Sequence, residues 1–184
     1  TGFLVYAYNV YMIEIVKTKL DGVLLIKPDA SEDFRGSRTE VYNKEFLARH
    51  GVDVDFVTDD YAVTSRHVLR GIHGDDRTWK VMSCFYGRNY SVIVNCDEQS
   101  KNFGQWEAFV LSDTNRWAVV VPPKYGDINM ALSEKTVIYY KQSTYYDANP
   151  KGQFTYKWDD PRFKIWLPIK NPILSRRDEE GHYA

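Results

Sequence analysis

Apolar positions along this chain come in short runs, and few of them keep a helical rhythm. The runs "MIEIVK" and "GVLLIK" lie either side of Asp21-Gly22 and read as strand, turn, strand. The stretch "PDASEDFRGSRTEVYN" (28–43) is polar and turn-rich, with a bend at Arg35-Gly36. "KEFLARHG" (44–51) is the best short helix and is closed by Gly51. From there on, β-type runs follow at close spacing, over 53–58, 66–72, 79–86, 89–96, 105–111, 116–121, 128–133 and 136–142. Gly, Asn, Asp and Pro separate them. Many short strands with turn signals predict an all-β domain, a sandwich, jelly roll or barrel, and argue against βαβ units. The tail "FTYKWDDPRFKIWLPIKNPILSRRDEEG" is broken by prolines and is expected to wrap the β core with short helical turns.

Length and composition narrow this picture. The 184 residues suit one domain with a sizeable core, and no repeat or linker divides them. Aromatic residues make up 15%, including 14 Tyr and 5 Trp, which favours β structure and a cleft that binds by stacking. A net charge of −1 gives no globally basic surface, so nucleic acid is not expected as a partner. No run approaches the ~20 apolar residues of a membrane span. The only cysteines, Cys84 and Cys96, lie in apolar runs and read as buried thiols of a reduced, cytoplasmic protein. Residues 1–11, "TGFLVYAYNVY", have no basic n-region and no A-x-A site, so they do not read as a signal peptide. Met12 resembles a natural start, making 1–11 an extension or cloning remnant and 12–184 the domain. Equally, 1–11 could form an extra edge strand, open to pairing with another protomer.

Candidate chemistry is sparse. The four histidines, His50, His67, His73 and His182, form no H-x-H pair, and no further ligands stand out, so no metal is expected. There is no G-x-S-x-G, P-loop or G-x-G-x-x-G. Acid–base chemistry is left, with His73, Lys80, the Tyr139-Tyr140 pair and Asp178 as candidates. Each has an ordinary alternative: a histidine at a strand end usually faces solvent, and a tyrosine in an aromatic-rich sheet usually packs.

Eight segments and one lysine, in order, sharpen the reading. They are "DFRG" (33–36), "EVYN" (40–43), "RGIH" (70–73) with Lys80, "SKNFGQW" (100–106), "VVPPKYG" (120–126), "YYKQSTYY" (139–146), "WDDPRFKIWLP" (158–168) and "LSRRD" (174–178). Together they resemble the dTDP-4-dehydrorhamnose 3,5-epimerase family from about Met12 to Asp178. The resemblance implies a cupin-like jelly roll with short peripheral helices, working as a homodimer without metal or organic cofactor. It implies His73 as base, oriented by Asp178, with Lys80 stabilising an enolate and Tyr140 donating a proton to the opposite face. Inverting a carbon next to a 4-keto group needs two such proton carriers. The resemblance also assigns Arg70 and Arg35 to the diphosphate, Tyr146 to the nucleobase and Glu40 to the nucleotide side.

Three departures concern the substrate. Gly74-Asp75 follows His73 where most dTDP-sugar members read F-Q. Asp127 stands where the family's "G-F-A-H-G-F" segment has a second histidine, and Asn95-Cys96-Asp97 replaces "V-D-x-R". "RGIHGD-x-x-T-x-K" is more similar to a branch acting on GDP-linked 4-keto-heptoses in bacterial capsule pathways. The expected function is therefore epimerisation of a nucleoside-diphosphate-4-keto-sugar at C3, C5 or both, with a GDP-4-keto-heptose favoured. The alternatives are a dTDP-4-keto-6-deoxyhexose 3,5-epimerase, a 3,4-ketoisomerase on the same fold, and a non-catalytic sugar-nucleotide binder.

Overall fold

A computed structural model describes residues 13–146 and 152–181. Residues 1–11, with their two readings, and His182 lie outside that range. The elements run β1 (Glu14–Lys17), β2 (Leu24–Lys27), β3 (Ala30–Asp33), β4 (Gly36–Thr39), α1 (Lys44–Arg49), β5 (Thr58–Ser65), β6 (Leu69–Gly74) and β7 (Lys80–Tyr86). There follow β8 (Arg88–Asn95), β9 (Trp106–Ser112), β10 (Ala118–Val121), β11 (Tyr125–Ala131), β12 (Lys135–Gln142), β13 (Phe154–Thr155) and α2 (Arg176–Glu180). One sheet has the order β1-β2-β10-β7-β12-β5, and the facing sheet β13-β6-β11-β8-β9; β3 and β4 form a separate hairpin.

The two sheets close on a shared core. Leu25, Met82, Cys84, Val119, Val121 and Ile138 of the first sheet meet Ile93, Phe109, Leu111 and Tyr125 of the second. Each sheet is also covered over part of its outer face. Helix α1, through Phe46 and Leu47, together with Val52, Val54 and Phe56, packs on Ile26, Val81, Ala118 and Val120. The tail, through Trp158, Phe163, Ile165, Leu167, Ile169 and Leu174, covers Leu69, Ile72, Val92, Val94, Ile128 and Met130. Strands covered on both faces lose alternation and become continuous apolar runs, as in the fully buried β10 "AVVV". Among the described residues, no helix is long and apolar enough to cross a membrane.

Most predicted strands agree with the structure to within one or two residues. Three differ, for different reasons. The 53–58 strand is shifted to Thr58–Ser65: Val54 and Phe56 alternate because they pack on the sheet's outer face, without ladder bonds of their own. The true edge strand, "TDDYAVTS", is largely exposed and lacks an apolar signature. The predicted 66–72 strand begins at Leu69, because Ser65–Val68 turn the chain and His67 adopts φ 68°. The predicted 128–133 strand starts earlier, at Tyr125, directly behind the Pro-Pro-Lys turn. The polar 28–43 stretch forms the β3–β4 hairpin, with its bend at Arg35-Gly36 as predicted.

One glycine fixes the geometry of β6. On β11, Asp127 pairs with His73 and Asn129 with Arg70, so β6 holds one extra residue between the two pairs. Arg70 and His73, three apart, would point to opposite faces of a regular strand. The extra residue brings both to the inner face, while Leu69 and Ile72 pack beneath the tail. Gly71 lies inside this irregularity with φ 125°, and a Cβ there would sit 2.2 Å from the Asp127 carbonyl oxygen. Gly71→Ala is therefore expected to lower stability by about 2–4 kcal/mol. Urea unfolding measures this, and an unchanged midpoint would refute the steric account.

Candidate active site

His73 stands on the inner face of β6, and its Nε2 lies 2.6 Å from Asp178 Oδ1. Asp178 comes from α2, more than a hundred residues later. Ser175 caps that helix, accepting the Asp178 N–H at 3.2 Å and donating its own hydroxyl to Oδ2 at 2.7 Å. The Gly71 N–H adds a bond to Oδ1 at 3.3 Å. Burial pushes the carboxyl toward the neutral acid, but the bonds from His73, Ser175 and Gly71 outweigh it and hold it below the usual carboxylate range. An ionised Asp178 accepts Nε2–H and fixes that tautomer, which leaves Nδ1 as the basic nitrogen.

A second polar chain crosses between the sheets. Lys80, at the start of β7, donates to Asp127 Oδ1 at 2.5 Å and to the His73 carbonyl at 3.4 Å. The two side chains are only 11% and 7% exposed. Asn129 donates through Nδ2 to Asp127 Oδ2 at 2.9 Å and to the Tyr140 hydroxyl at 3.2 Å. Tyr140 projects from β12 of the facing sheet, packed against the main core. Its phenol is held far above the ordinary tyrosine range, by burial first and by the Asp127 charge second, with Arg70 opposing. Arg70 ties the sheets together from the other side, donating Nε–H to Thr64 Oγ1 on β5 at 3.2 Å. A base, a cation and a firmly protonated phenol thus belong to one connected group between the sheets.

The Gly74-Asp75 pair has a structural explanation. A Cβ on Gly74 would meet the Phe154 ring at 2.4 Å and the Tyr125 carbonyl oxygen at 2.5 Å, where β13 closes over β6. Asp75 accepts the N–H groups of Arg77 and Thr78 at 2.9 and 2.6 Å, which tightens the turn returning the chain to Lys80. Tyr146 is exposed beyond β12 and lines a cleft with Asp75, Arg77, Gln142 and Gln153.

Other predicted site residues stand elsewhere. Arg35 is at the tip of the β3–β4 hairpin, paired with Asp33 at 2.6 Å. Glu40 accepts from Asn43 at 2.9 Å and faces a cavity lined by Ile13, Asp29 and Arg38. Asn95 holds the following loop, donating to Ser100 Oγ at 3.2 Å and accepting the Asp97 N–H at 2.9 Å. The cysteines are free, and burial pushes their thiols up to about 11 (Cys84) and about 12 (Cys96), so neither is poised as a nucleophile. Among the described residues, no group of three or more His, Cys, Asp or Glu could hold a metal ion.

Sequence reasoning passed over Asn129, Asn89, Ser91 and Ser175. A signal existed for two of them. Asn129 shares a strand face with Asp127 two residues earlier, and Ser175-Arg-Arg-Asp178 has the spacing of a helix-capping serine.

A family model described as dTDP-4-dehydrorhamnose 3,5-epimerase matches residues 17–183. The chain belongs to this family. A dTDP-4-dehydrorhamnose 3,5-epimerase from Methanothermobacter thermautotrophicus is 31% identical over 168 residues, covering 89% of this chain and 90% of the relative. The crystal structure of a dTDP-6-deoxy-D-glucose-3,5-epimerase from Legionella pneumophila, in complex with dTDP-4-keto-L-rhamnose, aligns with a TM-score of 0.86 at 27% identity, covering 93% of this chain and 92% of that one. A dTDP-4-dehydrorhamnose 3,5-epimerase from Bacillus anthracis with TDP and PPi bound aligns with a TM-score of 0.88 at 29% identity, covering 94% and 100%. The dTDP-4-dehydrorhamnose 3,5-epimerase family is one of isomerases, and its cupin-like jelly roll is the fold described above.

The His73–Asp178 pair makes a stability prediction. Because the Asp178 pKa is depressed in the folded chain, its contribution is complete above the unfolded value near ~4 and is lost as pH falls through the folded value. Asp178→Asn is expected to lower stability by about 1–3 kcal/mol at neutral pH, with the gap to wild type closing below about pH 4. Urea unfolding across that range measures it, and a gap that does not change with pH would contradict the ionised pairing.

Proposed function

We propose that this chain is a cofactor-independent epimerase of a nucleoside-diphosphate-linked 4-keto sugar. The observation that carries the proposal is the composition of the connected group: a carboxylate-backed imidazole on one sheet and a buried, protonated phenol on the other, with Lys80 in the same network. The 4-keto group acidifies the neighbouring C–H bonds. His73 Nδ1 takes the proton, and the C–H electron pair becomes an enolate whose oxygen Lys80 stabilises. Tyr140 then gives its hydroxyl proton to the same carbon from the opposite face. The phenolate and the imidazolium return to their starting states by exchange with solvent. Arg70 suits the diphosphate, having a guanidinium fork, and Tyr146 suits the nucleobase, having an exposed ring.

The relatives' named substrates carry dTDP, which supports a dTDP-4-keto-6-deoxyhexose as the first substrate to test. The GDP-4-keto-heptose reading rests on the Gly74-Asp75 pattern. The packing of Gly74 and the turn held by Asp75 account for that dipeptide without reference to substrate, so this becomes the second substrate to test. Both should be incubated with the enzyme in heavy water and each ring proton followed by NMR. We expect deuterium at C3, C5 or both, with the product inverted. His73→Ala should lower exchange by about 10²–10⁴-fold, and Tyr140→Phe should retain exchange while losing inversion. Wild-type exchange in His73→Ala would remove the base assignment. A carbonyl that moves to C3 would mean a ketoisomerase, and tight binding without exchange would mean a binder.

A homodimer belongs to the same proposal. The outer face of β7, β12 and β5 presents Tyr61, Val63 and Tyr86, at 72%, 52% and 56% exposure, beside a stacked Phe85–Tyr139 pair. So much exposed aromatic surface on one sheet suits a second copy. Arg35 pairs only with its neighbour Asp33 among the described residues, and a role at the diphosphate would place it in the partner's site. Tyr61→Glu with Val63→Asp is expected to give a monomer by light scattering at micromolar concentration. An unchanged mass would exclude this face.

A further inference from the structure

The Tyr140 hydroxyl has one proton to give, and its hydrogen-bond partner decides where that proton points. The partner is Asn129, a residue only 2% exposed. Four bonds fix the orientation of its amide. Oδ1 accepts from Asn89 Nδ2 at 2.7 Å and from Ser91 Oγ at 2.8 Å. Nδ2 faces Asp127 Oδ2 at 2.9 Å and Tyr140 Oη at 3.2 Å. A carboxylate paired with Lys80 only accepts, so the amide nitrogen has to be the atom turned toward it. Asn89 in turn donates to Ser91 at 2.7 Å, which directs the Ser91 hydroxyl proton onto Asn129 Oδ1. Turning the amide over would set oxygen against carboxylate and nitrogen against two donors.

Both Nδ2 hydrogens are therefore committed, one to Asp127 and one to the phenol oxygen. The phenol cannot donate back to a group that is donating to it, so its own hydrogen must point elsewhere. We propose that Asn129 is a positioning residue for proton donation: it holds Tyr140 as an acceptor toward the protein, so that its proton is presented to the substrate, and it stabilises the phenolate left behind. The inference rests on the epimerase reading and deepens it. An acceptor at position 129, such as a carboxylate, would draw the phenol proton inward and disable the acid. The phenolate is formed in a buried place close to the Asp127 charge, where burial and that charge both disfavour it. A donated hydrogen bond is the local counterweight. The effect is confined to one half of the reaction. His73 and Asp178 do not depend on Asn129, and Lys80 keeps its own bonds to Asp127 Oδ1 and the His73 carbonyl, so removal of the C–H proton is spared.

The test compares wild type with Asn129→Leu and Asn129→Ser; serine keeps a polar group but is too short to reach Tyr140. With dTDP-4-keto-6-deoxyglucose in heavy water, inversion is expected to fall by roughly 10–100-fold, while exchange with retained configuration changes less than about threefold. The ratio of exchange to inversion therefore rises. A merely structural role would lower both together, and an unchanged ratio in a variant with wild-type near-ultraviolet circular dichroism overturns the proposal. If the leucine variant does not fold, the serine variant carries the comparison.

A second measurement needs no substrate. A polyfluorinated tyrosine placed at 140 is titrated by fluorine NMR in the ligand-free protein. Loss of the Asn129 donor should move its ionisation up by roughly one pH unit, and an unmoved titration also overturns the proposal. If wild type exchanges no proton from dTDP- or GDP-linked 4-keto sugars, the epimerase reading fails. The fluorine titration then still decides whether Asn129 controls the phenol.

Discussion

A carboxylate buried between two sheets has to be paired, and the interior of this protein is arranged around Asp127. Its two oxygens are satisfied by Lys80 and Asn129. Its backbone is the ladder partner of His73. Through these links one buried charge sets where the β7 lysine reaches, how the β11 amide turns and how the β12 phenol is held. Removing the charge would leave a buried ammonium without its partner. The same charge helps to keep Tyr140 protonated. In this chain the requirement to satisfy a buried ion and the requirement to keep a phenol protonated are met by one residue.

The second constraint is the extra residue in β6. Without it, Arg70 and His73 would face opposite sides of the sheet, and only one of them could point between the sheets. Gly71 permits the irregularity because the Asp127 carbonyl leaves no room for a side chain. The chemistry of the site therefore depends on a local break in strand geometry that no periodic pattern describes.

The substrate inference shows how far residue patterns reach. Gly74-Asp75 looked like a code for the sugar nucleotide. In the fold, Gly74 makes room for Phe154, and Asp75 caps the turn that delivers Lys80. Arg35, Glu40 and Asn95 pose a related problem. By resemblance Arg35 and Glu40 match a nucleotide site and Asn95 stands where the family's pattern departs, yet within one chain their hydrogen bonds go to Asp33, to Asn43 and to the 97–100 loop.

By itself the sequence determined the β character of the chain, since short runs with turn residues can form little else, and it determined the chemically capable residues His73, Lys80, Tyr140 and Asp178. Motif order was enough to identify the family. The tertiary structure decided which of these residues meet. His73 and Asp178 are more than a hundred residues apart, and only the docking of α2 against β6 brings their atoms within a hydrogen bond. It also decided where the edge strand runs, because "VDVDFV" alternates through packing and "TDDYAVTS" pairs without alternating. Asn129 became visible only in three dimensions. A lone asparagine in a strand has no signature until its neighbours fix which way its amide must face.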